Sequence, residues 1–168
     1  MRKTYLLLCL MMCLNISAQF IKPFERTTTN ISIVIDPYAT YKEGGLNIGA
    51  EINYTENSLY IHSGVQTFTV LSEGYVDFTT ALGKAYKIGY FDKIKTYVGG
   101  RLGFIWRESP VPYITFGAEA GIDYNLTDNF IIGVRSSYDY RGDFKYWKTS
   151  PDFRFNSFLK IGYIINFR

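Results

Sequence analysis

Ile114-Thr115-Phe116-Gly117-Ala118-Glu119-Ala120-Gly121-Ile122-Asp123-Tyr124 places an apolar residue at every even position and a small or polar one at every odd position. Side chains of a β-strand point alternately to its two faces, so strict alternation over such a length is a strand with two different surfaces. Leu46 to Tyr54 repeats the pattern without a fault, and Phe130 to Tyr140 repeats it with Ile131 as the exception. Eight such runs follow one another, at about 29–41, 45–54, 58–70, 74–90, 95–107, 112–125, 129–141 and 153–167. Turn residues separate them, among them Lys42-Glu43-Gly44-Gly45, Thr55-Glu56-Asn57-Ser58 and Thr127-Asp128-Asn129, with a longer link from Gly142 to Asp152. Short links between successive strands make an antiparallel meander. The expected fold class is all-β, with one domain over 29–168.

Composition agrees with many short strands. Of 168 residues, 15 are Tyr, 13 Phe and 15 Gly, yet mean hydropathy is only −0.04. The formal charge of +3 excludes both a strongly basic nucleic-acid binder and an acidic disordered tail. The first 18 residues read as a signal peptide. Arg2 and Lys3 form a positive start, Tyr5–Leu14 an apolar stretch, and Ala18/Gln19 the expected cut. No stretch approaches the roughly 18 apolar residues of a membrane-crossing helix. Cys9 and Cys13 both fall inside the leader, so the mature chain would carry no thiol for a disulfide or a cysteine metal site. Residues 19–28 are expected to be a short periplasmic extension.

Alternation alone does not say which face points inward. Three features favour a membrane barrel, with its apolar face outside. Ten strand glycines (49, 64, 83, 89, 99, 103, 117, 121, 133 and 162) share the polar face, and only Gly100 lies on the other. A narrow lumen needs small residues beside large polar ones. The same face carries Asp36, Glu51, Arg101, Glu119, Arg135 and Lys160, expected to form a lumen charge network, because isolated buried charges are costly. The apolar face ends in aromatics at both rims: Tyr54, Tyr90 and Tyr124 at one, Tyr41, Trp106, Tyr140 and Phe153 at the other. In the fourth strand this parity turns Lys84 toward lipid; a bulge near Gly83 is the favoured reset, with a snorkelling lysine or a misread strand as the alternatives.

The leader, the eight alternating strands and the closing Phe158-Leu159-Lys160-Ile161-Gly162-Tyr163-Ile164-Ile165-Asn166-Phe167 resemble the small outer-membrane barrels such as OmpX and the membrane domain of OmpA. The resemblance implies an eight-stranded up-and-down transmembrane barrel in the outer membrane of a Gram-negative bacterium. It implies periplasmic termini, periplasmic turns at 55–58, 91–94 and 126–129, and links at 42–45, 71–74, 108–112 and 141–152 facing outside. It also implies contact with outer-membrane lipid and recognition of the last strand by the barrel assembly machinery. The usual terminal aromatic is here Phe167, followed by Arg168. Gly117-Ala118-Glu119-Ala120 before an Asp-Asn turn, with Lys160 to Asn166, is more weakly similar to the conjugative-transposon barrels called TraO, which implies a component of DNA transfer.

Several functional readings follow. The lumen charges suit a closed salt-bridged interior better than a narrow channel, since eight strands leave an interior that side chains just fill. A lipid-modifying enzyme would need Ser, His and a carboxylate facing one another, but the sole histidine, His62, and its neighbour Ser63 point to opposite faces. No catalytic residue, metal ligand or cofactor is read. The last outer link holds Arg141, Asp143, Tyr146 and Trp147, candidates for recognising an extracellular or envelope protein partner. The plainer reading rests Tyr146 and Trp147 at the membrane interface. A soluble exported barrel binding a small ligand is the remaining alternative.

Overall fold

The computed structural model describes residues 21–69, 74–88, 93–108, 110–146 and 152–165. Nine strands run in chain order: β1 (Ile21–Pro23), β2 (Thr28–Ile35), β3 (Asn47–Glu56), β4 (Leu59–Phe68), β5 (Val76–Ile88), β6 (Ile94–Trp106), β7 (Tyr113–Asn125), β8 (Phe130–Arg141) and β9 (Phe153–Ile165). Two short helices lie in the links, α1 (Pro37–Glu43) and α2 (Gly142–Tyr146). Each strand from β2 to β9 pairs antiparallel with the next, and β9 returns to β2. The result is a closed, up-and-down, eight-stranded barrel with no free edge in its wall. β1 stands outside this count and pairs with the last three residues of β5.

The surface is inverted relative to a soluble protein. Ile33, Leu102, Phe155 and Ile161 are among the exposed apolar side chains, whereas Glu51, His62, Glu119 and Lys160 are buried. With apolar side chains outside and charges inside, the chain is a transmembrane β-barrel. Among the described residues no helix is long and apolar enough to cross a membrane, so the crossing elements are strands.

Both termini of the barrel and the short turns lie at one end, called here the terminal end, and the helices at the far end. The β3–β4 turn is a two-residue hairpin closed by Glu56↔Leu59, with φ of 46° at Asn57 and 67° at Ser58. Two positive φ values in succession match the right-handed twist of the flanking strands.

Two expectations need correction. The first run of 29–41 ends as a strand at Ile35, and α1 follows. Asp36 caps this helix, Pro37 supplies a preset φ at its start, and Gly44 closes it at φ 80°. Tyr41 therefore sits exposed on a helix and not on a strand rim. No bulge interrupts β5, whose pairing with β6 runs unbroken from Val76↔Trp106 to Lys87↔Lys95. Lys84 is accordingly exposed on the outer face. It pairs with Leu59, the first residue after the β3–β4 turn. Residues 21–24, within the expected extension 19–28, form a strap at the terminal rim, with β1 paired to β5 and Phe24 lying between Ala85 and Ser58.

Candidate functional site: the filled lumen

Lumen residues come from every wall strand because every second side chain faces inward. The middle layer centres on His62 of β4. Its Nδ1 lies 3.2 Å from both carboxylate oxygens of Glu119, and its Nε2 lies 3.4 Å from Glu51 Oε2. Arg135 NH1 approaches Nε2 at 3.0 Å and Nδ1 at 3.3 Å, which places the guanidinium over the ring. The same guanidinium reaches Glu51 and Glu119, each at 3.5 Å, and stacks 4.8 Å from the centre of the Phe158 ring. Lys160 Nζ joins Glu51 at 3.4 Å and Asp123 very closely at 2.6 Å. Asn53 donates to both Glu51 and Asn30 at 3.0 Å. Each charge in this layer therefore meets an opposite one. That is the condition under which buried ions are tolerated.

Above this layer, toward the far end, Arg101 bridges Glu119 at 3.4 Å and Asp139 at 3.2 Å, and donates to Thr79 at 2.8 Å. Gln66 donates to Asp77 at 2.7 Å, and Ser137 to Asp139 at 2.6 Å. The far mouth holds Ala39, Phe68, Tyr75 and Ile105 as one buried cluster. Over it lies Asp143, which accepts from Arg141 Nε at 2.9 Å and from Arg107 NH1 at 3.0 Å. Arg141 also stacks on Phe144 at 4.6 Å and on Tyr75 at 5.3 Å.

Below the middle layer, the terminal mouth is aromatic. Tyr60 and Tyr97 stack with centroids 4.4 Å apart, and Phe24 from the strap packs with them against Ala81 and Ala85. A side chain at Gly121 would run into the Tyr97 ring, so glycine there is what lets Tyr97 lie across the lumen. Tyr60 donates to Glu119 at 2.7 Å, and Tyr97 accepts from Lys160 at 3.1 Å, tying the rings to the charges above.

Of the six anticipated lumen charges, Glu51, Arg101, Glu119, Arg135 and Lys160 come together. Asp36 stands apart, its Oδ1 accepting from Ala39 N at 2.8 Å as the cap of α1. Its place at the start of Asp-Pro marked it as a cap and not as a mid-strand charge. Of the aromatic girdle, Tyr54, Trp106, Tyr124, Tyr140 and Phe153 all sit on the outer face, while Tyr90 lies outside the described residues. Tyr140 stacks with Phe116 at 4.9 Å and meets Phe153 edge-on at 5.6 Å. Arg141 and Asp143, read from the sequence as outer-loop recognition residues, are both buried and paired to each other, so they are absent from the exposed surface. The side chain of Tyr146 and all of Trp147 lie outside the described residues.

Asp77, Lys95, Asp123 and Asp139 joined the network without having been singled out. Their parity with Glu119 and Arg101 was the available signal. Ser63 faces outward and pairs with Thr80 Oγ1 at 3.2 Å, across the wall from His62. Among the described residues no group of three or more His, Cys, Asp or Glu side chains is placed to hold a metal ion.

No family model matches the sequence, and no curated protein matches it. Solved structures do. The N-terminal β-barrel domain of Pseudomonas aeruginosa OprF superposes with a TM-score of 0.54 at 14% identity, over 83% of this chain and all of that one. De novo designed transmembrane β-barrels give 0.54 at 16% identity, over 82% of this chain and 95% of that one. The designed barrel TMB2.3 gives 0.51 at 16%, over 88% and 97%. The shared property is the fold, that of the small eight-stranded outer-membrane barrels.

Proposed function

We propose that this chain is an integral outer-membrane barrel of a Gram-negative bacterium with a lumen closed to ions, serving a structural or surface-interaction role and not an enzymatic one. The observation that carries the closed lumen is the middle layer. Glu51, His62, Glu119, Arg135 and Lys160 occupy the barrel axis as one ion-paired set, with ring layers on both sides. Moving an ion through would require breaking several buried pairs at once. The signal-like leader and the fold shared with the OprF barrel support the outer membrane. On this reading the terminal end faces the periplasm and the helices face outside. Among the described residues the exposed surface there includes α1 with Tyr38 and Tyr41, Lys42 lying 5.4 Å from the Tyr38 ring centre. An aromatic and basic surface on a rigid wall suits a protein or headgroup partner.

The deciding measurement is conductance of the purified barrel in planar bilayers. The expected trace is flat. Steady single-channel steps from the unmodified chain would replace the closed reading with a narrow channel. Recovery of the protein in the soluble periplasmic fraction would overturn the location.

A further inference from the structure

β4 and β5 are unequal at the terminal end. β4 begins at Leu59, opposite Lys84, while β5 continues to Ile88. Beyond the Ala85 N–H, which donates to Ser58 O at 2.8 Å, the backbone of residues 86–88 would present an unpaired edge on that side. The strap covers it, with Ile21↔Ile88, Lys22↔Lys87 and Pro23↔Tyr86 in antiparallel register. Phe24 N donates to Ala85 O at 3.2 Å, and Phe24 O accepts from Ser58 N at 2.8 Å. Its ring then enters the mouth among Tyr60, Ala81, Ala85 and Tyr97, with Lys95 Nζ 5.7 Å from the ring centre. Between Phe24 and β2, residues Glu25, Arg26 and Thr27 are all exposed. Three ladder residues, two backbone hydrogen bonds of Phe24 and its ring hold the strap, and none of these is a strand pairing of the barrel wall.

We propose that the notch made by the β5 edge, Ser58 and the Tyr60–Ala85–Tyr97 pocket is a peptide-binding site. The strap Ile21–Phe24 occupies it in cis as an autoinhibitory ligand. In trans it takes an extended peptide of the same chemistry, a short strand ending in an aromatic residue and entering from the terminal side. The backbone edge supplies ladder hydrogen bonds to any sequence, and the ring pocket supplies the choice of anchor. The Lys95 ammonium beside the ring favours an aromatic over an aliphatic anchor. Pro23 suits a strand with a neighbour on one side only, because it has no N–H to leave unpaired. The proposal goes beyond the closed-lumen reading and stands whichever way the conductance measurement falls.

The test uses the full chain with Cys9 and Cys13 replaced by Ser and a single thiol introduced by Ala85→Cys. A membrane-impermeant maleimide should label that thiol slowly. Adding Phe24→Ala should raise the rate by about tenfold or more, the loss of one buried ring anchor. A synthetic peptide of residues 21–26 should then restore protection, and the same peptide with Ala in place of Phe should not. Ser58→Cys, on the other side of the strap, gives an independent reading should Ala85→Cys fail to fold. Equal labelling with and without Phe24 overturns the proposal. So does an added peptide that leaves the Phe24→Ala rate unchanged.

Discussion

Both mouths of this barrel hold buried rings, but different devices lie over them. At the terminal mouth three rings, Phe24, Tyr60 and Tyr97, pack against two alanines. One of the rings belongs to a strap outside the wall. At the far mouth Asp143, on α2, is fixed by Arg141 on β8 and by Arg107 after β6. The Phe24 ring makes no ion pair and is held mainly in proportion to the area it buries, so on a short strap it can leave and return. A desolvated carboxylate between two guanidiniums has no such intermediate state, because removing it leaves buried positive charge that has lost its shared counter-charge. The far mouth is thereby nailed to the wall, and the terminal mouth is fitted with a removable part.

The sharpest way to break this comparison is Asp143→Ala. It leaves Arg141 and Arg107 buried without their shared partner, and we expect a loss of about 3–5 kcal/mol in urea unfolding from micelles. A loss below about 1 kcal/mol would mean that water reaches the far mouth and the contrast is unfounded. Phe24→Ala should cost less, about 1.5–3 kcal/mol, the transfer value of one buried aromatic. The wall should stay intact, so heat-modifiable migration on gels should be unchanged. Loss of the folded band would show that the strap is part of the folding unit.

The wall was legible in the sequence because period two is imposed residue by residue. Each inward position of β7, from Thr115 to Asp123, could be assigned from its neighbours alone. Glu51, Arg101, Glu119, Arg135 and Lys160 followed from that parity. Which of them meet did not, because strand tilt and register decide depth, and neither is written locally. The mouths were harder for a different reason. Asp36-Pro37 announced a helix cap, yet the apolar Tyr38, Ala39 and Tyr41 read as a continuing strand. Arg141-Gly142-Asp143 looked like an exposed tripeptide because turn residues usually face water. Nothing in the triplet shows that Arg107, more than thirty residues away, turns toward it. The strap was missed because three residues, Ile21 to Pro23, are too short to show any period.

The two smaller predictions refine the terminal side. Tyr97→Phe keeps the ring and removes the hydroxyl that accepts from Lys160 at 3.1 Å. Lys160 retains Asp123 and Glu51 as partners, so the expected loss is about 1 kcal/mol. A larger loss would place the hydroxyl, and not the stacked ring, as the tie between mouth and middle layer. Lys84→Leu concerns the outside of the same end. Opposite Leu59 at the turn, an outward lysine reaches the headgroup level, where its replacement should change bilayer stability by no more than about 1 kcal/mol. At mid-membrane depth the same replacement would stabilise the barrel by about 2–4 kcal/mol. Refolding the two chains side by side in vesicles and comparing their urea midpoints reads this depth directly. A gain in the larger range would put the membrane boundary below Leu59, with the strap close to the lipid and not out in the periplasm.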